Sequence, residues 1–258
     1  GGTVQLVDNG TLASNITMNG GVLDADSSLT ISGSVTQAGN ATIDVASGKT
    51  LTFDNGTIST ESYQLTVEGA GTIAFPDNAS GIVVNNAAGL LKLNGTGTVQ
   101  AAEITAASNT GKGVQVVNSS TISSLTVSAG TELNIASGET LSGSTEIAAN
   151  KTLSLIGTGT FGSALTLEGT LEAGANLKVS GLISVGNNST ISIPDANTTL
   201  TYSGGDLKVE THILSLAGSG TFSNNANSPF VVGGEGSGLY ITGNGTVAGP
   251  IRINLSTL

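Results

Sequence analysis

Two stretches of this chain are imperfect copies of one another at a nearly constant offset. Thr11-Leu-Ala-Ser-Asn-Ile-Thr-Met-Asn-Gly20 matches Thr160-Phe-Gly-Ser-Ala-Leu-Thr-Leu-Glu-Gly169, and Leu23-Asp-Ala-Asp-Ser-Ser-Leu-Thr-Ile-Ser-Gly33 matches Leu171-Glu-Ala-Gly-Ala-Asn-Leu-Lys-Val-Ser-Gly181. The match runs on through Thr50–Phe53 with Thr199–Tyr202 and Glu61–Val67 with Glu210–Leu216. Residues 3–98 thus answer residues 152–246, with 99–151 between them, and the offset stays at 148 or 149 positions. Loops of independent globular domains drift in length. Strands stacked in parallel register do not, because a one-residue slip turns every side chain to the wrong face.

A shorter period lies beneath the long one. The phrase apolar-x-Gly-x-Gly-Thr-apolar occurs at Val67–Ile73, Leu93–Val99, Leu155–Phe161, Leu216–Phe222 and Ile241–Val247. Thr98 to Thr160 is 62 positions and Thr160 to Thr221 is 61, each roughly three turns of 20–21 residues. Phrases such as Asn150-Lys-Thr-Leu-Ser-Leu155 and Asn188-Ser-Thr-Ile-Ser-Ile193 place a polar turn before an alternating β-branched run, the signature of a strand with one buried face. The sequence therefore predicts an all-β chain forming a single right-handed parallel β-helix, a solenoid of about twelve turns of roughly 20–21 residues, continuous from 1 to 258. Stacking lets 258 residues share one core without the size limit of a globular domain.

Composition agrees and removes other classes. A mean hydropathy of +0.22 with 10% charged residues leaves enough aliphatic surface to bury, so the chain is not of the disordered type. No apolar run is long enough for a transmembrane helix or a signal-peptide core. The net charge of -11, with Lys and Arg scattered from Lys49 to Arg252, argues against nucleic acid as a partner. Cysteine is absent, which excludes thiolate metal sites and disulfide scaffolds.

Leu155-Ile-Gly-Thr-Gly-Thr-Phe161, Leu165-Thr-Leu-Glu-Gly-Thr-Leu171 and Ala173-Gly-Ala-Asn-Leu177 resemble the passenger repeats of bacterial autotransporters and related large β-helical surface adhesins. The resemblance implies an exported β-helix displayed at the bacterial cell surface, serving as a stalk or adhesive region. Its implied partners are host or neighbouring-cell surface components, protein or glycan, with self-association as a further case. Gly249–Leu258 is too short for the outer-membrane barrel that family carries. Strand pattern at both ends leads to the expectation of a longer solenoid around this segment.

Each candidate for chemistry carries a plain structural reading. His212 is the lone histidine, and its counterpart in the other copy is Tyr63, so it reads as structural. Asp24-Ala-Asp26 offers two carboxylates to a hard cation, but the matching Glu172-Ala-Gly174 keeps one, and a polar turn is favoured. Gly233-Gly-Glu-Gly-Ser-Gly238 has Ser237 where a calcium nonapeptide needs Asp, and reads as a loop. Asn15, Asn55, Asn94, Asn150 and Asn244 head Asn-x-Ser/Thr triplets that are equally tight turns entering strands. The expectation is a fold without metal or cofactor.

Two segments exceed the regular turn, Phe75–Gly81 and Ser223–Phe230. Phe75, Pro76, Asp77 and Asn78 in the first, with Asn224, Asn225, Asn227, Pro229 and Phe230 in the second, are the candidate binding loops, since excursions from a rigid scaffold are where ligands dock. The competing reading is a bulge closed by its own Phe. A glycan-processing enzyme would need converging acids and aromatic platforms. Here Trp is absent and the acids are dispersed, Lys208 with Glu210 or Glu61 being the nearest approach to a polar cluster. An ice-binding solenoid would need ranked Thr-x-Thr; Thr50-Leu-Thr52 and Thr199-Leu-Thr201 fit, while Asp44, Lys178 and Asn134 break the array. The sequence thus favours a non-catalytic display or adhesion segment over both alternatives.

Overall fold

A computed structural model describes residues 2–76 and 81–254. Among them there is no helix, and every strand pairing is parallel. Each turn visits three rows of strands. The first row is a twelve-stranded sheet running from Gly2–Leu6 to Gly238–Thr242, so eleven complete turns separate its ends. The second row runs from Gly10–Leu12 to Thr246–Ala248, and the third from Ile16–Met18 to Ile251–Asn254. The chain is a parallel β-solenoid, as the periodicity implied.

Alternation builds the core. In Ala41–Val45 the residues Ala41, Ile43 and Val45 are buried while Thr42 and Asp44 lean outward. Every turn repeats this, so aliphatic side chains stack in inward ladders such as Leu153, Leu171, Ile191 and Leu216. Each fully buried aliphatic contributes roughly 1.5–3 kcal/mol. The five phenylalanines and Tyr202 join the core, Phe53 stacking on Phe75 at 5.7 Å and Phe222 lying between Tyr202 at 6.1 Å and Phe230 at 4.7 Å.

Turn length is less even than the sequence period suggests. Val4 pairs with Leu23, Leu23 with Ile43, Ile43 with Val67 and Val67 with Leu93, which are steps of 19, 20, 24 and 26 residues. Leu153 pairs with Leu171, then Ile191, Leu216 and Ile241, steps of 18, 20, 25 and 25. Strand registers stay fixed because the surplus residues are taken up at the corners, where no ladder is interrupted. Corner hydrogen bonds recur too. Asn40 Oδ1 accepts from the Gln64 amide at 2.9 Å, and Asn188 Oδ1 from the Ile213 amide at 2.8 Å. Ser28 Oγ accepts from the Thr50 amide at 3.0 Å, and Asn176 Oδ1 from the Thr199 amide at 2.6 Å. Each side chain satisfies an N–H that the ladder leaves open.

The Gly-x-Gly-Thr phrase is the corner between the first and second rows. There the backbone lies directly on the turn before it: the Gly159 amide donates to Ile135 O at 3.1 Å and the Thr160 amide to Glu139 O at 2.8 Å. A Cβ on Gly157 would strike the Ile135 carbonyl, and one on Gly159 the Ala136 carbonyl. Glycine is required for this close approach.

Residues 98–147 depart from the rest. Thr98–Ile104, Ser120–Val127 and Thr140–Ile147 each span the second and third rows as one strand. The corner is replaced by a bend, with a register shift between Ile122 and Leu125 where Gly143 takes a φ of 116°.

Candidate functional site

The two excursions lie between corresponding second- and third-row strands of their copies, Thr72–Ala74 with Ile82–Val84 and Thr221–Ser223 with Phe230–Gly233, and Phe75 and Phe230 turn inward. Phe75 is 4% exposed and Phe230 fully buried, each in the ring stacks described above. Pro229 is buried and Pro76 half-buried. Asn224 is also buried; its Nδ2 donates to Ser228 O at 3.0 Å and Pro250 O at 3.1 Å. Asn224 therefore ties the loop to the next turn. Asn225 and Asn227 are exposed, and Asn225 Oδ1 accepts from the Asn227 amide in a local turn. Asp77 and Asn78 lie outside the described residues. Of the seven described candidates, the geometry leaves Asn225 and Asn227 facing solvent, while the Phe side chains serve the core.

Other candidates resolve into corner chemistry. Glu61 and Asn85 form a reciprocal pair, the Asn85 Nδ2 donating to Glu61 Oε1 and the Glu61 amide to Asn85 Oδ1, both at 2.9 Å. Glu61 sits on the strand turn before Ile82–Val84, far along the stack from Lys208, so those two are not brought together. Lys208, Glu210 and Asp206 do share a face, lining an open groove of about 320 Å³ with Ser184, Thr211 and the exposed Leu182. His212 and Tyr63 are both half-buried, and the His212 carbonyl accepts from the Gly238 amide at 3.2 Å. Asn15 Oδ1 accepts from the Ser34 amide at 3.0 Å and Asn150 adopts a φ of 61°, which is turn work.

Stacking reveals two columns that the linear sequence hides, because their paired members are 19–26 residues apart. On the first row Asp24 pairs with Asp44 and Asp44 with Glu68, so three carboxylates stand on successive turns. Partial burial, then the charges of Asp24, Glu68 and Asp26, hold the Asp44 carboxyl above its ordinary value. Asp26 is drawn aside, accepting from Gln5 Nε2 at 2.6 Å. Among the described residues no three acid or histidine side chains converge as a metal site would require.

The second column is a staircase of threonines on the outer face of the second row. Thr11, Thr30 and Thr52 are in register, and Thr50, Thr72, Thr98 and Thr121 form the next step. Thr140 with Thr160, then Thr199, Thr221 and Thr246, continue it. Of the three residues expected to break this array, Asp44 and Asn134 belong to the first row and only Lys178 lies in the second. The sequence could not assign rows, since all three phrases look alike.

No family model, no curated protein and no solved structure matches this chain.

Proposed function

We propose that this chain is a non-catalytic segment of an extracellular bacterial surface protein, a rigid β-helical rod that supports or mediates adhesion by holding its faces and corner loops at fixed spacing. The observation that carries this reading is the unbroken stack, one apolar core through eleven turns with its extra length confined to corners. Such a scaffold keeps its axis while its corners vary, which suits display. The partners it fits are protein or glycan components of host or neighbouring cells. A panel of glycans, matrix proteins and the segment itself, assayed by surface-immobilised binding, tests the adhesive part. Small-angle scattering tests the rod, with an expected stack length of about 53 Å from eleven steps of ~4.8 Å. A compact profile, or turnover of a polysaccharide, overturns the proposal.

The threonine staircase favours one second reading, an ice-binding face, because within each step hydroxyls and methyls repeat from strand to strand, as at Thr50, Thr72, Thr98 and Thr121. Thermal hysteresis that falls when Thr72 and Thr98 are replaced by Lys decides for it; none at all decides against.

A further inference from the structure

The chain contains five Asn-Gly pairs, at Asn9, Asn19, Asn55, Asn94 and Asn244, all in corners. In such a pair the glycine amide nitrogen can attack the asparagine Cγ. A new C–N bond closes a succinimide and ammonia leaves; water then opens the ring at either carbonyl, giving aspartate or isoaspartate. The step needs a side chain free to swing and a glycine free to bring its nitrogen round, so the fold controls it.

The corners differ in this respect. Asn9, Asn19 and Asn55 are exposed. Among the described residues nothing lies within 4 Å of a Cβ built on Gly10 or Gly56, and the nearest atom to one on Gly20 is Asn40 O at 3.7 Å. Asn94 is pinned on every side: its amide donates to Val67 O at 2.8 Å, its Nδ2 to Glu68 Oε1 at 2.9 Å, and its carbonyl accepts from Asn118 Nδ2 at 2.8 Å. Gly95 is seated on the Gly69 backbone with no space around it. Asn244 combines an exposed side chain with a glycine on which a Cβ would come within 2.8 Å of Gly220 O.

We infer that Asn9, Asn19 and Asn55 are sites of spontaneous conversion to aspartate and isoaspartate in the folded protein, and that the fold protects Asn94. Each event adds one negative charge to a chain already at -11. At Asn9 an isoaspartate also inserts a methylene immediately before Gly10, which is in register with Leu29.

The test is incubation of the folded protein at mildly alkaline pH, with peptide mapping by mass spectrometry and isoaspartyl methyltransferase labelling, beside the same chain in urea. In the folded protein Asn94 should convert at least about tenfold more slowly than the other three, equivalent to ~1.4 kcal/mol of barrier. In urea the four rates should converge. Glu68→Ala, which frees the Asn94 side chain, should raise its rate in the folded protein. Equal rates at all four sites in the folded state, or unreacted Asn9, Asn19 and Asn55 under conditions where the urea sample reacts, overturn the inference.

Discussion

At the scale of single residues the rule that governs this chain is alternation, and it is steep. Leu165 is 1% exposed and stacks between Thr145 and Ile183, whereas Thr166, the next residue, faces solvent. Leu165→Asp buries a charge with no partner and should abolish folding, while Thr166→Asp should leave the circular dichroism melt within about 0.5 kcal/mol of the parent. Two folded variants would show that the register is wrong. Thr145 carries the opposite defect, a buried hydroxyl that finds no partner among its neighbours. Thr145→Val removes that unsatisfied group at the same size and should raise stability by about 1 kcal/mol in denaturant titration. Alternation at these positions was legible from the sequence, because a period of two survives without knowing which strand lies above or below. The fate of Phe75 and Phe230 was not. A Phe beside a Pro reads equally as a loop's exposed anchor or as its plug, and only the ring it meets, Phe53 on the turn before for Phe75 and Phe222 across the corner for Phe230, decides between them.

At the scale of elements, corners and columns carry the specificity. Gly157→Ala places a Cβ against the Ile135 carbonyl and should cost about 1–3 kcal/mol. Gly130→Ala is the control, since its Cβ would be 3.9 Å from Thr152 O, an ordinary contact, and it should be neutral. A thermal melt in which the two variants behave alike would remove the corner explanation. The acid column predicts a pH effect. The folded state holds the Asp44 proton more tightly than the unfolded state, because burial and then Asp24, Glu68 and Asp26 raise its pKa above 3.8. Stability should therefore increase as pH falls through the raised value, and the gain is complete below 3.8. Asp44→Asn should remove that component and raise stability at neutral pH, by under about 1 kcal/mol since the group is largely solvated. A parent and variant with parallel pH–stability curves would refute it. The Gly-x-Gly-Thr corner announced itself in the sequence. The columns did not, because turns of 18–26 residues blur any fixed-period alignment of outward positions.

At the scale of the whole molecule, the strands of each turn, among the described residues, pair only with those of the turn before and the turn after. Cooperativity in such a stack is a chain of nearest-neighbour interfaces. The three bent strands of residues 98–147 join two rows without a broken corner. The hydrogen bonds between turns all point along the axis. A load applied to the two ends is therefore borne by one interface at a time, and the rod should peel rather than shear. Held in an optical trap, it should yield in small successive extensions, each releasing one turn of 18–26 residues, or about 60–90 Å of extended chain. A single rupture to full length would contradict this. A tether that gives way in instalments dissipates a sudden pull while its far end stays attached.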